Sequence, residues 1–292
     1  MQHKNTLKVA ITGANGFVGK NVGKVLAKKG ISVIGVVRED KKSSINFGAA
    51  LTSEDLSENY LASRLQGCSA FLHFIGKGKQ TVDSDYQKVN VGLTKNAINL
   101  CKKAKIKKII YISGLGVSKT TTFGYFISKF QAEQEIINSG LDYTIFRASY
   151  IIGKDDSLSH ILFKQIKQGA ITVPGSGRYR LQPIFIGDVA KVIFQSLTQQ
   201  KFSNKIIDLV GPKIITFNDY VRDFIQGKKI PIKNIDLEDA YRTALHNPKT
   251  DFGIDDLNIL VGDYIGNHKK LKSMSGIEFK THKAVLEAGS LS

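Results

Sequence analysis

The chain has 292 residues, 42% of them hydrophobic and only five of them proline, enough for one large α/β domain or for one with a small appendage. It contains no apolar run of the ~18 residues a membrane span needs, and its two cysteines, Cys68 and Cys101, have neither metal nor redox spacing. A net charge of +17 admits nucleic acid, an anionic membrane surface or an acidic protein as partner. The lysines are spread along the chain, as in Lys102-Lys103, Lys107-Lys108, Lys228-Lys229 and Lys269-Lys270, with no interleaved basic and aromatic stripe, so no specific nucleic-acid binding is expected.

In chain order, Met1 to Thr6 runs straight into a strand and lacks the apolar core of a secretory leader, so a cytoplasmic protein is expected. The apolar run Lys8 to Thr12 ends in Gly13, Gly16 and Gly19, and a helical pattern follows at once. This order reads as a strand, a tight turn and a helix opening. Gly13 permits the turn, Gly16 admits a pyrophosphate to the backbone N–H groups, and Gly19 lets helix and strand pack closely. The helix N-terminus then offers unpaired N–H groups and the positive end of its dipole to phosphates. After a helix from Gly19 to Lys29, Gly30 serves as the cap and Ile31 to Val37 reads as a second strand. The residue leaving it is Arg38. A guanidinium there suits a ribose 2′-phosphate, which favours NADP over NAD.

A short third strand, a helix over Tyr60 to Gly67, a strand over Ser69 to Ile75, a loop over Lys77 to Asp85 and a helix over Tyr86 to Ala104 follow. Ile109 to Ser113 is the next strand. The alternation predicts an α/β protein with a Rossmann-type, doubly wound parallel sheet. Beyond that strand lies Tyr125-Phe-Ile-Ser-Lys129, whose phenol and ammonium share a helix face at i and i+4. A cation beside the phenol is expected to lower its pKa and fit it for general acid–base work.

The second half reads as a strand over Leu141 to Ser149, a helix over Leu158 to Gln168 capped by Ser157 or Ser159, and a turn-rich stretch carrying Arg178 and Arg180. A strand over Pro183 to Gly187 precedes a helix capped by Asp188. A strand over Ile206 to Val210 and a helix started by Thr216 or Asn218 come next. Amphipathic helices near 237–245, 255–264 and 282–288 end the chain. The six histidines, His3, His73, His160, His246, His268 and His282, have no ligand spacing, so no metal site is expected, and His73 reads as a packed residue.

Thr12-Gly-Ala-Asn-Gly-Phe-Val-Gly19, Asp55-Leu56, Asn90, Tyr125-x-x-x-Lys129 and Phe146-Arg-Ala-Ser-Tyr-Ile-Ile-Gly153 together resemble the short-chain dehydrogenase/reductase superfamily in its extended or atypical, epimerase/dehydratase-type branch. Asp188-Val-Ala190, Asp208 to Pro212 with Thr216, and the tail from Asp255 to Glu278 resemble the NADPH-binding accessory subunit family of respiratory complex I. The resemblance implies cofactor contacts at Gly13, Asn15, Gly16, Phe17, Gly19, Arg38, Asp55, Leu56 and Lys129, with Tyr125 and Lys129 catalytic. Ser113 stands at the first position of the family's serine-rich turn. The usual catalytic position falls on Leu115, and Ser118 is out of register. In extended relatives a basic residue before the Asp-Val-Ala segment binds the diphosphate of a nucleotide-linked substrate, a role open to Arg178 or Arg180. The expected organisation is a dinucleotide-binding domain over 1–153 and a smaller substrate region over 154–292, interleaved with the last sheet strands. Two functions follow as expectations. One is an NADP-dependent oxidoreductase or epimerase/dehydratase acting on a small hydroxyl or carbonyl substrate. The other is a non-catalytic NADPH-binding subunit of a larger, membrane-associated complex.

Overall fold

Val9, Ala10 and Ile11 are wholly buried, as a central parallel strand flanked by helices on both faces requires. They belong to β1 (Lys8–Thr12), an interior strand of a seven-stranded sheet in a computed structural model that describes residues 7–81, 85–247 and 250–289. The expectations for Met1 to Thr6, including His3, and for part of the loop before Asp85 lie outside the described residues. The other strands are β2 (Ser32–Val37), β3 (Ala49–Thr52), β4 (Ala70–His73), β5 (Lys108–Gly114), β6 (Asp142–Ala148) and a last strand over Lys205–Leu209. Their order is last strand, β6, β5, β4, β1, β2, β3. β1 pairs in parallel with β2 and β4, β2 with β3, and β4 with β5. The order reverses between β1 and β4. In such a sheet the crevice outside the carboxyl ends at the reversal is where ligands bind.

The chain forms two compact units. The first holds residues up to 77, 82–147 and 186–207; the second holds 78–81, 148–185 and 208 onward. Within the first, the crossovers are α1 (Phe17–Lys28), α2 (Asn59–Leu65), α3 (Leu93–Lys103), α4 (Gly124–Ile137) and, farther along, a helix over Ile186–Thr198. In the second unit, helices over Ser157–Lys167 and Phe217–Ile225 bury Leu162, Phe217, Tyr220 and Val221 in a core of their own.

Three local expectations are corrected and one helix is added. The continuous helix expected from Tyr86 opens instead as a π-helical turn over Gln87–Gly92, which buries Asn90 before α3 begins. The helix over Ser157–Lys167 is capped by Asp156, whose carboxylate accepts from the Ser159 amide at 2.8 Å, rather than by a serine. Asp188 lies inside the first turn of its helix, buried and paired with Lys191 at 2.9 Å, and does not cap it. A further helix over His268–Ser275 lacks an apolar stripe long enough to show in the sequence. Only Leu271 and Ser275 are buried in it, and Asn267 starts it by accepting from the Lys270 amide.

Candidate functional site

Three glycines shape the exit from β1. Gly13 adopts φ +66°, and a Cβ there would lie 2.9 Å from the Phe74 carbonyl carbon. Gly16 donates its N–H to the Gly13 carbonyl at 3.0 Å and is the N-cap residue of α1. It brings no side chain to cover the first amides, and the first turn of α1 has no acidic residue. A Cβ at Gly19 would overlap the Gly13 carbonyl oxygen, so this contact admits hydrogen only. Asn15 and Gly16 are exposed and Phe17 is half-buried. A dinucleotide pyrophosphate fits this cradle, since the N–H groups stand uncovered and glycine occupies each point of closest approach.

Around the cradle, Arg38 leaves β2 with 64% of its side chain exposed, 3.9 Å from Asp40, whose nearer partner is Lys41 at 2.9 Å. The Asp55 carboxylate accepts from the Ser57 hydroxyl at 2.6 Å and the Ser57 amide at 2.9 Å, which holds its pKa below the usual carboxylate range. Leu56 sits at φ +69° with its side chain in the core and its N–H on the Ser53 hydroxyl. At this turn the backbone and the Asp55 carboxylate reach the surface, while the leucine side chain does not.

The glycine turn leads directly to α4. Gly13 abuts the Phe74–Ile75 backbone, and a Cβ on the next residue, Gly76, would lie 3.0 Å from the Lys129 Nζ. Lys129 is buried, and its ammonium donates to the Tyr111 hydroxyl and the Ile112 carbonyl, each at 3.0 Å. Burial pushes its pKa down to about 8, with Glu133 on the next turn of α4 acting against the shift. Glu133 itself is clasped by Arg147 through Nε at 3.0 Å and Nη2 at 2.6 Å.

Tyr125 packs edge-on against Tyr86 and Phe126, with its hydroxyl 3.3 Å from the position a Cβ on Gly114 would take. Its phenol is pushed up to about 12 by burial. This reverses the lowered pKa expected from the i,i+4 spacing. The cation on the same helix is turned towards Tyr111 and Ile112, so desolvation governs the phenol. Ser113 is 2% exposed, and its hydroxyl has no hydrogen-bond partner among the described residues. Leu115, at the position where the resemblance implies a serine, is buried.

Three further residues take part in ways the sequence did not assign. Tyr111 precedes Ser113 by two positions on β5, so their side chains lie on one face, a period-two signal the strand reading already contained. Asn90 accepts from the Lys77 amide at 2.8 Å and donates to the Ser128 hydroxyl at 2.9 Å, tying the π-helical turn to α4. His73, read as a packed residue, is buried but bridged between the Thr12 and Thr94 hydroxyls at 2.8 and 3.2 Å, and it stacks on Tyr111.

In the second unit, Arg180 is committed to Asp263 through its Nε at 2.9 Å and its Nη2 at 2.8 Å. Arg178 is exposed.

A sequence profile of the NAD(P)H-binding family matches residues 13–200, from the first glycine of the cradle to the end of the crossover before the last strand. The chain belongs to this NAD(P)H-binding family. Among curated relatives, it is 24% identical over 299 aligned positions to the mitochondrial NADH dehydrogenase [ubiquinone] 1 alpha subcomplex subunit 9 of Arabidopsis thaliana, covering 94% of this chain and 74% of the relative. It is 25% identical over 213 positions to an uncharacterized sugar epimerase of Bacillus subtilis, covering 70% of this chain and 94% of the relative. Its fold is similar to that of UDP-glucuronic acid 4-epimerase from Bacillus cereus, solved with UDP-glucuronic acid and NAD, with a TM-score of 0.76, 17% identity and 97% of each chain covered. The NAD(P)H-binding chain thus has the same fold as that epimerase. No helix among its described residues is long and apolar enough to cross a membrane.

Proposed function

We propose that this protein binds NADPH and reduces a carbonyl on a small substrate, with Tyr125 as the proton donor. The observation that carries the reading is the pairing on α4 of a half-buried phenol with a buried ammonium, one turn apart, beside the segment that the glycine cradle touches. The cradle amides after Gly13 would take the pyrophosphate, and the Arg38 guanidinium would fork onto a 2′-phosphate. Lys129 uses two of its three N–H donors on Tyr111 and Ile112 and would direct the third to a ribose hydroxyl.

Bound NADPH supplies a hydride, and the carbonyl carbon that receives it leaves alkoxide character on the oxygen. Tyr125, protonated at neutral pH with its pKa pushed up to about 12, gives its proton to that oxygen. At neutral pH the phenol carries its proton, the form that carbonyl reduction requires, whereas alcohol oxidation would need the phenolate. Arg178, whose neighbour Arg180 is held by Asp263, is the residue proposed to meet a nucleotide diphosphate on the substrate.

A second reading is a non-catalytic NADPH-binding subunit of a larger complex. Leu115 favours it, because a leucine cannot polarise a carbonyl, and so does the similarity to the plant NADH dehydrogenase subunit. Titration of nucleotide-stripped protein with NADPH and NADH tests both. Tight NADPH binding that weakens about tenfold or more in Arg38→Ala is expected. Turnover in a carbonyl-substrate screen that vanishes in Tyr125→Phe, with NADPH affinity kept, supports the reductase. NADPH binding with no turnover in either protein supports the subunit. Binding of neither nucleotide overturns both.

A further inference from the structure

The lysines that look scattered in the sequence are gathered by the parallel sheet. In the first unit, each crossover helix returns the chain to the amino end of the next strand, so those returns share one edge, opposite the glycine cradle. The last strand joins the same edge. The Ser203 hydroxyl reaches the Asp142 carboxylate, and the Tyr143 amide donates to the Asn204 side chain, at the start of β6.

Lys28 and Lys29 close α1, and Arg64 closes α2. Lys102, Lys103, Lys105 and Lys107 fill the return from α3 to β5. Lys201 and Lys205 lead into the last strand. All nine side chains are exposed. Two more cations stand on this edge but are engaged: Lys8 donates to the Gln66 carbonyl, and Lys108 pairs with Asp142 at 3.4 Å. Asp142 and Glu135, the latter in the last turn of α4, are the carboxylates in these returns, so eleven cations less two acids leave nine of the seventeen net charges here. The exits of β2 and β3 at the opposite edge carry Arg38, Lys41 and Lys42 against Glu39, Asp40, Glu54, Asp55 and Glu58.

Helix dipoles account for Lys28, Arg64, Lys102 and Lys103, which sit in last turns. They do not account for Lys29, Lys105, Lys107 and Lys205, which lie beyond the helices. Lys105 adopts φ +60°, while other turns on this edge place glycine in that conformation: Gly30 at +78°, Gly67 at +79° and Gly140 at +80°. A lysine stands where glycine would be less strained.

We propose that this amino-terminal edge of the sheet docks on an anionic phospholipid surface. Eight of the nine exposed cations are lysine, a compact hydrated charge suited to a diffuse anionic plane rather than to forked recognition of single phosphates. None of the exposed large hydrophobic residues falls on these returns, which leaves no aromatic to stack on bases and no apolar centre for a protein interface. Docking is therefore peripheral and is screened by salt.

The test is co-sedimentation of the full chain with phosphatidylcholine vesicles and with vesicles that also contain phosphatidylserine. Binding only to the second, lost at high salt, is expected. Lys102→Gln/Lys103→Gln/Lys105→Gln should weaken it about a hundredfold, at about fivefold per lysine, while Lys228→Gln/Lys229→Gln/Lys233→Gln, an equal charge change elsewhere, leaves it nearly intact. Lys105→Gly, which relieves the strained backbone, keeps the test readable should the triple variant misfold, and it should weaken binding about fivefold. Failure to bind phosphatidylserine vesicles, an equal loss in both triple variants, or displacement from the vesicles by an equal charge of duplex DNA would each overturn the proposal.

Discussion

The Lys129 ammonium is held by Tyr111, through the hydroxyl at 3.0 Å and over the ring at 4.6 Å from its centroid. The same tyrosine stacks on His73 with the ring planes 17° apart, so a cation, a phenol and an imidazole form one buried stack between β4, β5 and α4. The stack draws the Lys129 ammonium to β5, while the Tyr125 ring packs on Tyr86 and Phe126.

Tyr111→Phe keeps the ring and removes one of the two oxygens that receive the Lys129 ammonium. A hydrogen bond to a buried charge contributes ~1.5–3 kcal/mol, so a loss of about 2 kcal/mol in urea unfolding is expected. An unchanged midpoint would show that Lys129 finds another acceptor at no cost.

Lys129 also sets an alkaline dependence. Its pKa falls from 10.5 to about 8 on folding, through burial opposed by Glu133. Below pH 8 both states are protonated and the burial cost is present in full. Between 8 and 10.5 the unfolded chain binds more protons, so stability rises with pH, by about 3 kcal/mol from this residue. Denaturant titrations of wild type and Lys129→Met across that window isolate the contribution, because the variant should lack the rise.

His73 acts on the acid side. Burial first, and the Lys129 charge second, push its pKa from 6.5 down to about 3. As pH falls through this interval the unfolded chain takes up the proton first, and stability drops by up to about 5 kcal/mol. Nitrogen-15 NMR of the imidazole at pH 5 should report a neutral ring, and a protonated one would contradict the buried bridge.

The glycines of the cradle should separate by position. Gly19→Ala forces a methyl into the Gly13 carbonyl oxygen and should cost more than about 3 kcal/mol in thermal or urea unfolding. Gly16→Ala meets the same oxygen at 3.2 Å and should cost less than about 1 kcal/mol. Similar losses at both sites would mean that the turn relaxes as a whole.

Ser113→Ala removes a buried hydroxyl that has no partner among the described residues. In the ligand-free protein it should raise stability by about 1 kcal/mol, the lower end of the cost of an unsatisfied buried group. A loss instead would show that the hydroxyl is satisfied by ordered water.

The glycine spacing, the strand–helix alternation and the positions of Arg38, Tyr125 and Lys129 are legible because each depends on local chemistry: a turn that excludes Cβ, a buried strand period, a helix repeat. The π-helical turn at Asn90 is not legible, since its cause is a hydrogen bond to Ser128, 38 residues away. The Tyr125 pKa is also misread from spacing. An i,i+4 pair shares a helix face, but the acceptors that claim the ammonium come from β5.

By itself the sequence determined the sheet type, the cradle and the family it points to, because propensity, periodicity and glycine stereochemistry act over a few residues. The tertiary structure decided which oxygens hold Lys129, which way the Tyr125 pKa moves, and that cations from four separate returns share one edge. Burial and parallel strand order create those relationships. They exist only once residues far apart in the chain are brought side by side.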